Sequence, residues 1–270
     1  MAMLIRVCFL AAVVAIGTAA PATAGPLEDG ATAYSRGDYT IALRLLRPLA
    51  DQGNALAQNN LGAMYAAGQG VPMNNEEAAK WYRLAADQGY AKAENNLGIL
   101  FSNGKGVAVN YVEAGKWFRL SADQGDSDAE YFLGAMYFSG YVSGSQDETE
   151  AAKWLRLSAE KGNANAQSLL GFLYDNGRGV PQSDAVAVKW FRLAANQGNA
   201  RAQWFLGGAY ASGKGAPQDY VLAYMWSNLA AATSSTFAET ATFERNEIAK
   251  KMTQDQIAEA QKLTREWVPK

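Results

Sequence analysis

A leucine followed by glycine returns at Leu61, Leu97, Leu133, Leu170 and Leu206, in steps of 36, 36, 37 and 36 residues, and a tryptophan trails each at Trp81, Trp117, Trp154, Trp190 and Trp226. A period of that length leaves little freedom of fold. One such unit is too small to bury its own apolar face, so neighbours must stack, share a core and lengthen the molecule without enlarging its cross-section. One elongated repeat domain is therefore expected instead of a globular one.

Inside each unit, Leu61, Met64 and Tyr65 recur at helical spacing and predict a first helix, with the glycine after the leucine letting a second helix come close. Glycines seven residues beyond the leucine, such as Gly68 and Gly104, should end that helix, and a further loop glycine follows at Gly70, Gly106, Gly179 and Gly215. Asn74, Asn110, Asp147, Ser183 and Asp219 then stand where a side chain can accept from free helix N–H groups and so open the second helix. Glu77, Glu113 and Glu150, three residues further on, predict capping boxes. On the second helix the tryptophan lies among small residues such as Ala78, Ala85 and Ala86, which predicts a ring buried in an alanine-lined core.

The flanks differ. Residues 25–54 form a shorter opening unit with a tight turn at Gly37 and Asp38, expected to cap the array before five repeats over 55–232. Residues 233–270 are expected to close it with a helix from Phe237 to Met252 and a last one, through Trp267, opened by Thr253 and Gln256 as a capping box. Residues 1–24 carry Arg6, an apolar stretch from Val7 to Ala20 and a small-residue site at Ala22 to Ala24, the pattern of a cleaved secretory signal. A periplasmic or secreted location is expected, with no membrane insertion after cleavage.

The motif A-x-x-x-L-G-x-x-Y-x-x-G-x-G-V, followed by A-x-x-W-x-x-x-A-A-x-x-G and met five times over residues 55–232, resembles the Sel-one-like repeat, a relative of the tetratricopeptide repeat. The resemblance implies an all-α fold: a right-handed α-solenoid of stacked antiparallel helix pairs whose first helices line a concave side. It also implies a role as an interaction scaffold, in regulation or in envelope assembly. Two departures stand out. Gly140 to Gln146 replaces the two-glycine loop of the third unit, and Phe101 stands where the pattern has tyrosine.

Composition narrows the chemistry. The chain has no histidine, and its one cysteine, Cys8, falls inside the signal, which removes the commonest bases, zinc ligands and nucleophile partners. A formal charge of −2 gives no reason to expect nucleic acid. Neither cofactor nor metal is expected: Asp123, Asp126, Asp128 and Glu130 lack the central glycine of a calcium loop, and Gly208 to Lys214 follows a helix where a phosphate loop follows a strand. The enzymatic alternative is a cell-envelope enzyme of penicillin-binding or β-lactamase type using Ser102 and Lys105, which form a Ser-x-x-Lys pattern without its usual companion motifs.

What remains is a binding surface. On the resemblance, positions flanking each Leu-Gly pair share one side of the first helix and should face the concavity. They include Asn59, Asn95, Ser102 and Asn103 in the early units, and Tyr131, Phe138, Phe172 and Trp204 in the later ones. Amides can hold an extended backbone and aromatic rings can anchor side chains, so a protein or peptide partner is expected there. The other reading is that these rings only fill a tight superhelix.

Overall fold

The computed structural model describes residues 25–142, 144–233 and 236–269, so the expected signal over 1–24 lies outside the described residues. The described residues form helices and no strand. In chain order they are α1 (Pro26–Arg36), α2 (Tyr39–Asp51), α3 (Ala55–Ala67), α4 (Asn75–Ala86), α5 (Ala91–Asn103), α6 (Tyr111–Asp123) and α7 (Ser127–Ser139). There follow α8 (Glu148–Glu160), α9 (Ala164–Asn176), α10 (Asp184–Asn196), α11 (Ala200–Ser212), α12 (Tyr220–Ala231), α13 (Ala238–Ala249) and α14 (Gln254–Glu266). From α1 to α13 each helix packs on its neighbours in sequence, the two partners of a unit most extensively, and α14 folds back onto α12. Stacked helix pairs of this kind make an all-α solenoid.

Side-chain caps set the helix starts. Asn74, Asn110, Asp147, Ser183 and Asp219 accept from the first backbone N–H groups of α4, α6, α8, α10 and α12. Thr253 and Gln256 make a reciprocal capping box on α14. The glutamates expected to do the same at α4, α6 and α8 do not. Glu77, Glu113 and Glu150 instead bind Lys80, Lys116 and Lys153 at 2.6, 3.2 and 2.9 Å, because a lysine one turn ahead offers a full charge where the cap offers one N–H.

The expected role of the tryptophans also needs correction. Trp81 and Trp226 are buried, but Trp117, Trp154 and Trp190 are only partly so, and in every unit the residue after the tryptophan, Tyr82, Phe118, Leu155, Phe191 or Ser227, is buried. Phe118 is 1% exposed and lies so close over Gly98 that a Cβ there would come within 2.7 Å of its ring. Trp117, Trp154 and Trp190 sit one layer out, and the same stacking recurs between units: Arg47, Arg83 and Arg119 lie over Trp81, Trp117 and Trp154 of the following unit, at 5.2, 5.1 and 4.8 Å from the ring centres. Arg156 and Arg192 also donate to the hydroxyls of Tyr174 and Tyr210 at 2.6 and 2.8 Å. Phe101 has no hydroxyl to offer, and Arg83 stacks on its ring at 5.4 Å.

The loops clamp one unit to the one before it. Gly106 adopts φ +70°, and a Cβ there would fall 2.2 Å from the backbone of Asn75 at the start of α4. Only glycine satisfies both the left-handed backbone and that approach. In the divergent third loop, Gly144 has open space around it, and Tyr141 stacks on Tyr111 at the start of α6 instead, at 4.3 Å and 15°. An aromatic pair thus replaces a backbone contact at the same seam.

A polar seam also runs through the stack. Three residues before each repeat leucine stand Gln58, Glu94, Glu130, Gln167 and Gln203, all buried. Gln88 donates to Gln58 Oε1 at 2.7 Å, Gln124 to Glu94 at 2.8 Å, Lys161 to Glu130 at 2.6 Å and Gln197 to Gln167 at 2.9 Å. Each bond ties the first helix of a unit to the chain just past the end of its second helix. At the end of the array Gln203 Oε1 has no partner.

Candidate partner-binding face

The rings of the later first helices form one connected surface. Phe138 on α7 meets Phe172 on α9 edge-on at 6.1 Å, and Phe172 meets Phe205 on α11 at 5.9 Å. Trp204 lies between Phe205 at 4.6 Å and Phe237 at 5.4 Å. Arg178 caps this row over Phe138 at 4.3 Å while donating to Glu148 at 2.6 Å. Tyr131 tilts against Phe132 at 5.2 Å. Tyr131, Phe138, Phe172 and Trp204 are all partly exposed, so the rings both pack against each other and present area to a partner.

The early units differ. Asn59 and Asn95 are buried, and Asn59 Oδ1 already accepts from Asn96 Nδ2 at 3.1 Å across the unit boundary. Asn95 Oδ1 is buried without a partner. Ser102 is partly buried and Asn103 exposed, each donating to the carbonyl of Ile99 at 3.0 Å. The Ser102 hydroxyl is thus engaged in a local helix bond, and Lys105 lies beyond the cap Gly104 on exposed chain, with no hydrogen bond between the two among the described residues. The acidic cluster is likewise occupied: Asp126 caps α7, Asp128 accepts from Asn163 at 2.8 Å and Glu130 from Lys161.

At the far end the surface deepens into a pocket of about 190 Å³ between α9, α10, α11 and α13. Trp204, Phe205 and Gly208 form one wall, and Asp175, Asp184, Lys214 and Glu244 supply charge. Burial pushes the Asp175 carboxyl above its usual value, the nearby Asp184 adds to the rise, and Lys214 opposes it. Burial also raises Glu244, against the indole N–H of Trp204, which faces it. Neither Trp204 Nε1 nor Glu244 Oε2 completes a well-formed hydrogen bond.

Arg201, on the first turn of α11, is partly buried and donates through Nε to Ser168 Oγ on α9 at 3.1 Å. It takes part in no ion pair among the described residues. Burial lowers the guanidinium below its usual value, with Tyr131 acting in the opposite sense. The sequence motif missed Arg201, Phe205, Phe237 and Glu244, although Arg201 and Phe205 occupy places where the five copies disagree.

Helix pairs built to one pattern and stacked in register define an α-solenoid. The family model for the Sel1 repeat matches residues 27–54, 55–90, 91–126, 127–163, 164–199 and 200–232, and the chain belongs to that family. The opening unit is among the six matches. The chain is similar to the crystal structure of a Sel1 repeat protein from Oxalobacter formigenes, with 33% identity, a TM-score of 0.77, and coverage of 88% of this chain and 97% of that one. It is similar also to c5321, a protective antigen of uropathogenic Escherichia coli strains displaying an SLR fold, with 27% identity, a TM-score of 0.52, and coverage of 90% and 68%. A search of curated proteins gives no match. Proteins of the Sel1 repeat family are generally helical scaffolds for protein–protein interaction.

Proposed function

We propose that this protein is a non-enzymatic adaptor of the bacterial envelope that holds an extended protein segment in the concave groove formed by its first helices. The observation that carries this reading is the connected, partly exposed ring surface from Phe138 through Phe172 and Phe205 to Trp204. Rings of low conformational freedom in a recess are the usual anchors of a bound chain. The signal-like residues 1–24 support export, and regulation of signalling or envelope assembly is the role that location favours.

A photo-crosslinking residue at Phe172, compared with one at the exposed Leu120 on α6, tests the groove in cells that make the protein. Adducts are expected from Phe172 and not from Leu120, and they should vanish when Tyr131→Ala and Trp204→Ala are combined while helicity by circular dichroism is retained. Equal adducts from both faces, or adducts that survive the double change, would sink the groove assignment.

A further inference from the structure

We propose that Arg201 receives the side-chain carboxylate of an aspartate or glutamate carried by the segment in the groove; this rests on the groove reading above. The other partly buried arginines of the stack are engaged on more than one side: Arg178 pairs with Glu148 and lies over Phe138, Arg83 and Arg119 each stack on two rings, and Arg245 donates to Asn228 and Asn246. Arg201 has only a serine hydroxyl on one of its N–H groups. The equivalent places in the two preceding units are consumed by the N-caps of the next first helices, Asp128 by Asn163 at 2.8 Å and Asn165 by Asn199 at 2.9 Å. In the fifth unit that place carries a positive charge, and no acid of the described residues pairs with it.

A partly desolvated guanidinium favours a carboxylate that can take two parallel N–H bonds in its plane. The source is a side chain and not a chain terminus because the surface continues on either side, toward Tyr131 on α7 and toward Phe237, which stacks on Trp204 at 5.4 Å. A segment lying on those rings passes over Arg201 without ending there. The neighbouring pocket fixes where the acid cannot go: Asp175, Asp184 and Glu244 face it against the single Lys214, so a second carboxylate is repelled about two turns further along α11.

The chain from Gly25 onward can be challenged with random peptides displayed with their C-termini fused to the carrier. Enriched peptides should share an Asp or Glu at one place. Changing that acid to its amide in the synthetic peptide should weaken binding to the wild type about tenfold or more, and leave binding to Arg201→Gln unchanged, as a double-mutant cycle requires of a direct pair. Arg201→Lys, which keeps the charge and loses the fork, should show an intermediate preference, and it serves alone if Arg201→Gln does not fold. An acid-to-amide loss that is the same in wild type and variant overturns the assignment to Arg201. So does enrichment without an acid among peptides that Tyr131→Ala releases, although the groove then stands. Binding that requires a free C-terminus overturns the side-chain source. Enriched peptides indifferent to Tyr131→Ala, or no enrichment at all, remove the groove and the proposal together.

Discussion

Glu94 is a carboxylate in a place that three other units fill with glutamine, Gln58, Gln167 and Gln203. It is 2% exposed and has one amide donor, Gln124, so burial pushes its carboxyl above the ordinary value of 4.5 and the hydrogen bond only partly offsets this. The folded state therefore holds the proton more tightly than the unfolded chain does. Its contribution to stability is present below the ordinary value and is lost as pH rises through the higher folded value. Glu94→Gln should accordingly melt higher than wild type at about pH 7, and the difference should close by about pH 4. Thermal melts of both proteins across that range check this; a variant that melts lower near neutrality would show that the carboxylate is needed for its bond with Gln124. Glu130, at the same place one unit on, has Lys161 as its partner instead.

At the scale of the helix pair, the residue that seats one helix on the other is the one after the tryptophan. Phe118→Ala removes a ring that is 1% exposed over Gly98 and should cost about 3–5 kcal/mol. Trp117→Ala, which removes a ring that is already partly accessible beneath Arg83, should cost about half as much. Urea unfolding of the two variants decides the order, and an equal or greater loss for Trp117 would restore it as the core ring. The sequence made the pair, its turns and its five side-chain caps legible, because a cap and its N–H partners lie within three residues of each other. It did not separate Trp117 from Phe118, since adjacent large residues on a helix differ only in how each faces a neighbour it meets through the stack. Nor did it foretell that Glu77 would choose Lys80 over the N-cap, a choice between two partners equally near in the chain.

Over the whole molecule, the array is closed by α14, which packs against α12 and brings Trp267 to 6.2 Å from Trp226 at 74°. A solenoid needs such an end piece because its last unit otherwise leaves a face made for a successor. Deleting residues 253–270 should lower Tm by about 5–10 °C and raise the apparent mass on gel filtration as bared ends associate. A shortened chain that melts as the full one does and stays at the same size would show that α12 and α13 suffice. The period, the helix pairs and their side-chain caps follow from the order of residues alone, because each is decided by partners within one turn or by a period that admits one kind of stacking. The opening unit, expected only as a cap before five repeats, is itself matched by the repeat model. Three features were decided only by the folded stack: the polar seam from Gln58 to Gln203, the replacement of a glycine clamp by Tyr141 on Tyr111, and the partial burial of Arg201 beside Ser168. Each joins residues about thirty or more positions apart, and no local pattern states which side chains will meet across that distance.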